Sequence, residues 1–288
     1  MPPKGYAGQG GARKGTEGRR GVPNRISDGK RMGHTSSSRD EMKRYRAVLC
    51  DMFDTVVNFL WGRLPLVPFD GTEIRSSSPL VYEALRSVCP GVPLSDFCRA
   101  FIECSRAAES TRNLTQREVT AHQRFGMLRE RLGIPDGSAA NAFVEAAIAE
   151  QMRQLRRAME FPEEHRAALA RLHLAYRMAV VSNFDHGPTV EAALADFGIR
   201  DRFEAVVVSA DVGWRKPHPE IFREALRRMG LEPAQAVFVG DTPEADVLGP
   251  HGVGLDTIWI DRGNALLPSG AAPPTYTVSS FADVASLL

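Results

Sequence analysis

Apolar residues fall in short, unbroken runs at intervals along the chain. RAVLC at 46–50, RMAVVS at 177–182, EAVVVS at 204–209, QAVFVG at 235–240 and DTIWI at 256–260 are rich in β-branched residues, and a weaker run covers 276–278. Runs this short and continuous read as strands buried on both faces. Between the later runs, apolar positions return at helical spacing over 188–197, 219–229 and 243–250. Strands alternating with helices predict a doubly wound α/β fold with a parallel sheet, whose ligands bind at the carboxyl ends of the strands.

The alternation breaks between residues 51 and 177. Helical periodicity there covers 80–88, 94–110, 116–132, 139–159 and 163–176, with almost no strand signal. One helix is enough for a crossover between parallel strands, so the surplus helices must form a layer of their own. The expected organisation is an α/β core of residues 45–63 and 160–288, with an all-helical domain, 64–159, inserted after the first strand. The helix from Glu163 leads back into the sheet.

Composition narrows the class. The chain has 288 residues, 43% apolar and 25% charged, with a net charge of +1. No apolar run approaches the ~20 residues of a membrane span. The four cysteines, Cys50, Cys89, Cys98 and Cys104, form no CxxC pair. They read as reduced, mostly buried thiols of a cytoplasmic protein, and no secretory signal precedes them. The small net charge conceals an asymmetry: residues 1–46 carry twelve Lys and Arg against four Asp and Glu, so the remainder is mildly acidic. Residues 1–44 hold nine glycines and lack any periodicity. They are expected to form a disordered basic tail, because so little apolar surface cannot offset chain entropy. Its single aromatic, Tyr6, argues against a nucleic-acid-binding arm. A working start near Met32 or Met42 is the simpler expectation.

Four short motifs lie at or just beyond predicted strand ends. They are Asp51-Met-Phe-Asp-Thr55, Ser182-Asn183, Lys216-Pro-His-Pro219 and Gly240-Asp241-Thr-Pro-Glu-Ala-Asp246. Taken singly, each is ordinary turn or helix-cap chemistry. Together they offer a nucleophilic carboxylate, a hydroxyl and amide donor, a cation and an acid pair on one face of the sheet. Residues 47–288 contain 23 arginines and one lysine, Lys216. In a chain that otherwise uses Arg for its cations, that lysine marks a place for a compact point charge.

In this order, and most specifically in VVSN, RKPHPEIF and FVGDTPEAD, the motifs resemble those of the haloacid dehalogenase (HAD) superfamily over residues 46 to about 285. The resemblance implies a Rossmann-like core and identifies the long insert with that superfamily's helical cap. It makes Asp51 the covalent nucleophile and gives Ser182, with Asn183, a donor role toward the bound anion. Lys216 becomes the counter-charge, and Asp241 and Asp246, with Asp51 and the Phe53 carbonyl, hold Mg²⁺. The reaction so implied is phosphohydrolysis of a small phosphorylated metabolite through an aspartyl-phosphate.

One position departs from the phosphatase pattern. Phosphatases of this superfamily usually carry a second aspartate two residues after the nucleophile, which transfers protons; here that residue is Phe53. Asp54, Asp185 and His186 are candidate replacements, with Asp185 equally readable as a helix N-cap and His186 as a solvated loop residue. A metal-independent 2-haloacid dehalogenase also carries an aromatic at this position, since halide leaves without a proton, but the intact 240–246 motif argues against it. A non-catalytic phosphate-ligand binder is the third reading. Arg112, Arg117, His122 and Arg124 surround a break near Asn113 and read either as contacts to an anionic substrate tail or, more simply, as a solvated basic face. Phe59, Leu60 and Trp61 line the pocket entrance or the hinge, or simply pack, and Gly230 reads as a helix C-cap.

Overall fold

The computed structural model describes residues 45–87, 91–263 and 265–288. The expectations for the basic tail and for Cys89 lie outside them. The chain enters through β1 (Ala47–Cys50) and reaches β2 (Asn58–Phe59), then a hairpin of β3 (Leu66–Phe69) and β4 (Thr72–Arg75). Helices α1 (Ser78–Leu85), α2 (Leu94–Thr115), α3 (Ala121–Arg131) and α4 (Ser138–Arg157) follow, closed by β5 (Met159–Glu160). The return path is α5 (Glu163–Ala175), β6 (Arg177–Ser182), α6 (Gly187–Asp196), β7 (Ala205–Val208), the single turn α7 (Ser209–Val212) and α8 (Pro219–Met229). After β8 (Ala236–Gly240) come a π-helix, Pro243–Leu248, and α9 (Gly249–His251), then β9 (Asp256–Ile260), β10 (Tyr276–Val278) and α10 (Phe281–Leu287).

Six strands form one parallel sheet in the order β10-β9-β8-β1-β6-β7. Its strands coincide with the six apolar runs of the sequence. Their side chains divide by a period of two that composition hides, since both faces are apolar. Val48, Cys50, Met178, Val180, Val237 and Val239 enter one core cluster. Ala47, Leu49, Ala179, Val181, Ala236 and Phe238 enter the other, against Ile221, Phe222 and Ala225 of α8. Pro219 starts α8 at a position that needs no N–H, and Gly230 closes it in the left-handed region (φ +58°).

The insert differs from the sequence expectation in three places. Residues 64–159 are not helical throughout: β3 and β4 pair antiparallel about the Asp70–Gly71 turn, with Val67, Phe69 and Ile74 packed on Cys98 and Ile102 of α2. β2 and β5 pair antiparallel where the insert leaves and rejoins the core. The helix expected from residue 116 starts at Ala121. Gln116 ends α2 in the left-handed region (φ +55°), and Thr120 with Gln123 forms a capping box that fixes the new start.

Phe222 is fully buried and meets Phe238 edge-on at 5.3 Å between centroids, whereas Leu174 is 87% exposed. Phe222→Ala is expected to cost about 3–5 kcal/mol, and Leu174→Ala less than about 0.5 kcal/mol, in urea-unfolding midpoints at constant slope.

Candidate active site

Strands β8, β1 and β6 are neighbours in register, with Cys50 opposite Val239 on one side and Val180 on the other. Adjacent strands lie ~4.8 Å apart, so residues just past their carboxyl ends converge. Asp51 follows β1, Ser182 ends β6 and Asp241 follows β8. The Asp51 N–H donates to the Val239 carbonyl (2.8 Å) and extends the ladder one residue beyond the strand.

Lys216 reaches this convergence from the loop before α8. Its Nζ donates to Asp51 Oδ1 at 2.6 Å and to Asp246 Oδ1 at 2.8 Å, over the Phe238 ring. Burial opposes the ammonium charge, but Asp246 and Asp51 overcome it and raise the Lys216 pKa above its ordinary value. Asn183 fixes the lysine's backbone from both sides: its Nδ2 donates to the Lys216 carbonyl (2.9 Å), and its Oδ1 accepts from the Lys216 N–H (2.7 Å).

Asp246 stands on the π-helix, a winding that recurs at functional sites. Its Oδ2 accepts from the N–H groups of Asp241 (3.2 Å) and Thr242 (2.9 Å). Only a glycine fits at 240, because a Cβ there would collide with the Asp246 side chain. Burial first, and then the neighbouring Asp51 and Asp241, push the Asp246 carboxyl up, against the pull of Lys216. Asp241 receives Thr242 Oγ1 (3.1 Å) and lies 3.7 Å from Arg262 Nη1.

Carboxylate oxygens of Asp51, Asp241 and Asp246 lie within 4.8 Å of one another, all three residues buried. Three carboxylates crowded this closely repel, and one lysine offsets only part of that. An all-oxygen, anionic donor set fits a hard divalent cation such as Mg²⁺. Two buried hydroxyls, Ser182 Oγ at the end of β6 and Thr55 Oγ1 four residues after Asp51, make no hydrogen bond within the chain.

The other sequence candidates make contacts of their own. The Phe53 ring stacks toward Phe184 (5.0 Å between centroids) and meets Phe59 edge-on at 6.3 Å; Phe59 in turn packs on Trp61 at 4.7 Å. Asp54 adopts a left-handed backbone (φ +55°), and its Oδ1 accepts the Phe59 N–H at 3.0 Å. His186, not Asp185, occupies the N-cap position of α6; its Nδ1 lies 2.8 Å from Thr189 Oγ1, and burial lowers its pKa.

Asp185 is instead an ion-pair centre. Its Oδ2 receives Arg124 Nε (3.0 Å), Arg124 Nη2 (2.8 Å) and Arg112 Nη2 (3.2 Å). Burial opposes the charge, yet Arg124 and Arg112 hold the Asp185 carboxyl well below the ordinary carboxylate range. It is therefore no proton donor near neutrality. Arg112 and Arg124 are consequently neither a solvated face nor substrate contacts: both side chains are at most 2% exposed. Both fall on the apolar stripes of their helices. Arg124 shares the buried stripe of α3 with Ala121, Phe125 and Leu128, and Arg112 continues that of α2 through Phe101, Ser105 and Ala108. Glu118, Ser209 and Arg215, which complete this network, were not singled out by sequence reasoning.

Residues 45–254 match the haloacid dehalogenase-like hydrolase family. The chain belongs to that family and is a HAD-like hydrolase. Among curated relatives it is 33% identical over 168 residues to the pyrimidine 5'-nucleotidase YjjG of Escherichia coli K12, covering 58% of this chain and 70% of that protein. To human N-acylneuraminate-9-phosphatase it is 33% identical over 132 residues, covering 45% of this chain and 52% of the relative, so it spans about half of that enzyme. A 2-haloacid dehalogenase from Pseudomonas syringae shares the fold, with a TM-score of 0.63 at 19% identity over 84% of this chain and 97% of its own.

Replacing Asp185 by Asn strands the buried Arg124 without its carboxylate and removes one of the acids paired with Arg112, an imbalance that costs about 3–5 kcal/mol. Because the folded-state pKa is depressed, this stabilisation is complete above the ordinary carboxylate range and is fully lost only once pH falls through the lower folded-state value. Urea unfolding of wild type and Asp185→Asn is expected to differ most at pH 7, to differ still at about pH 3, and to converge only in stronger acid.

Proposed function

We propose that this HAD-like hydrolase is a Mg²⁺-dependent phosphohydrolase of a small phosphorylated metabolite, working through an aspartyl-phosphate on Asp51. The observation that carries the reading is the Lys216 ammonium held between Asp51 and Asp246, with Asp241 beside them. A phosphoryl group needs that combination of an attacking carboxylate, a fixed cation and further anionic groups for a metal.

In the proposed reaction an Asp51 carboxylate oxygen attacks phosphorus, and the bond to the leaving oxygen breaks with its electron pair on that oxygen. Lys216 and the Ser182 hydroxyl stabilise charge gathering on the equatorial oxygens. Asn183 holds Lys216 in place through two backbone hydrogen bonds. Asp51, Asp241 and Asp246, with the Phe53 carbonyl, would hold Mg²⁺, whose chemistry is to neutralise phosphoryl charge and align the attacked group. Water then attacks the aspartyl-phosphate, yielding inorganic phosphate, which takes up the water's proton, and restoring Asp51. The leaving oxygen takes its proton from solvent or from Asp54 reoriented out of its turn, since Phe53 supplies none.

The inserted segment 64–159 serves as the cap that sets the substrate. Three buried thiols without a disulfide, Cys50, Cys98 and Cys104, support a reducing, cytoplasmic location. Among the described residues no helix is long and apolar enough to cross a membrane.

Phe53 favours a second reading, metal-independent 2-haloacid dehalogenation, because halide departs unprotonated. Asp241 weighs against it: a third buried carboxylate beside Asp51 and Asp246 repels a nucleophilic anion unless a cation is bound.

A screen of phosphoesters and haloacids with and without Mg²⁺ decides between them. Phosphate release that EDTA abolishes is the expected result; halide release indifferent to EDTA overturns it. Asp51→Asn is expected to lower turnover by at least about 10³-fold with an unchanged circular dichroism spectrum, and full residual activity would remove Asp51 as nucleophile. Phe53→Asp is expected to raise phosphoester turnover about 10²-fold or more, the lower end of the 10²–10⁴ range of general acid–base help.

A further inference from the structure

The junction between insert and core carries a buried charged network beside its apolar contacts. Glu118, in the α2–α3 connection, has a fully buried side chain and stands between two arginines. Its Oε2 receives Arg215 Nη1 at 2.7 Å and the Ser209 hydroxyl, while its Oε1 lies 2.7 Å from Arg112 Nε, an ion pair too bent for a hydrogen bond. Arg124 of α3 grips Asp185 with two nitrogens and turns a third contact to Gln151 Oε1 of α4 at 2.6 Å. Backbone hydrogen bonds run beside these pairs, from the Ala121 N–H to the Asp185 carbonyl (2.8 Å), Glu118 N–H to Gly213 (3.0 Å) and Arg215 N–H to Gln116 (2.9 Å).

Both core ends of this network belong to loops of the candidate site. Arg215 immediately precedes Lys216, and Asp185 lies three residues after Ser182. Ser209, which also donates to Glu118, accepts the Phe184 N–H at 2.9 Å and so ties the two loops to each other. One buried carboxylate of the insert thus touches the Lys216 loop directly and the Ser182–Asp185 loop through one hydroxyl.

We propose that Glu118 and Arg124 are positioning residues for the reaction, acting through Arg215 on Lys216 and through Asp185 and Ser209 on Ser182 and Asn183. The proposal rests on the phosphohydrolase reading above. Adhesion alone does not call for these residue types, since apolar side chains of similar volume hold two surfaces together at least as well as buried ion pairs. Ion pairs add direction: a guanidinium gripped by a fully buried carboxylate cannot rotate without losing its partner. Direction is what Lys216 needs, because a misplacement of about 1 Å at reacting groups costs on the order of 10²-fold in rate. The insert therefore contributes to the geometry of the chemical step, beyond any contact with substrate.

The test uses the full chain with p-nitrophenyl phosphate and Mg²⁺, well below each variant's melting temperature. Glu118→Gln keeps the shape and removes the charge. It is expected to lower kcat about 10- to 100-fold while KM moves less than about threefold, because substrate contacts are intact and only alignment is lost. Glu118→Asp, which keeps the charge, is expected to recover part of that loss. Arg124→Lys, which loses the two-nitrogen grip, is expected to lower kcat in the same way. Asp70→Asn, in the exposed hairpin turn of the insert, is the control and leaves kcat unchanged. A folded Glu118→Gln with kcat within twofold of wild type overturns the proposal, as does a loss in which KM rises and kcat holds. If Glu118→Gln fails to fold, the Glu118→Asp and Arg124→Lys values decide on the same criteria. Wild type inactive on every phosphoester overturns the phosphohydrolase reading and this inference with it; an active wild type indifferent to the charge at 118 overturns the inference alone.

Discussion

The ammonium of Lys216 between Asp51 and Asp246 is the contact on which the arrangement depends. Three carboxylates crowded into a buried site resist ionisation together, and burial alone pushes Asp246 up. A single cation at 2.6 and 2.8 Å relieves part of that repulsion and fixes where the attacking oxygen of the proposed reaction points. A buried amine, in turn, keeps its proton only because the acids surround it. Neither side of this cluster is stable as drawn without the other. The surroundings reflect that need: Asn183 clamps the lysine's backbone, Phe238 lies beneath its head group, and Gly240 leaves room for Asp246 to approach.

The fold makes this cluster affordable by supplying most of its stability elsewhere. Both faces of the central sheet are covered by apolar clusters. Three adjacent strand ends then deliver chemical groups to one place with little further adjustment. The π-helix after β8 follows the same logic. Regular winding was given up where Asp246 receives two backbone N–H groups and holds the lysine. A second charged cluster, around Glu118 and Asp185, joins the insert to the core. It uses arginine where the first uses lysine, and the difference has a physical basis. Planar guanidinium forks bridge several acceptors at a fixed junction, whereas a compact ammonium suits a site that must also receive an anion.

Phe53 gives the site its particular character. Its ring belongs to an aromatic run through Phe184, Phe59 and Trp61, so the position beside the proposed nucleophile is apolar where proton transfer needs a polar group. Asp54 is the nearest acid in sequence, and its carboxylate caps the turn by accepting the Phe59 N–H. The local chain thus favours packing over proton transfer.

The six sheet strands, α8 with its proline start and glycine end, and the four motifs were legible in the sequence. Each is encoded within a few neighbouring residues, by unbroken apolar runs or local cap chemistry. The convergence of Asp51, Asp241, Asp246 and Lys216 followed from the topology those runs imply, because parallel neighbours present their carboxyl ends together. The hairpin at Leu66–Arg75 and the β2–β5 pair escaped notice: two- to four-residue strands are too short to establish a period, and Pro68 disguises one of them. The fates of Asp185, Arg112 and Arg124 were decided only in three dimensions. A charged residue on an apolar stripe can face solvent at a helix end or a partner from another element, and sequence spacing is identical in both cases. Their partners lie 61 and 73 residues away along the chain, where only the packing of insert on core brings opposite charges into a shared, water-poor space.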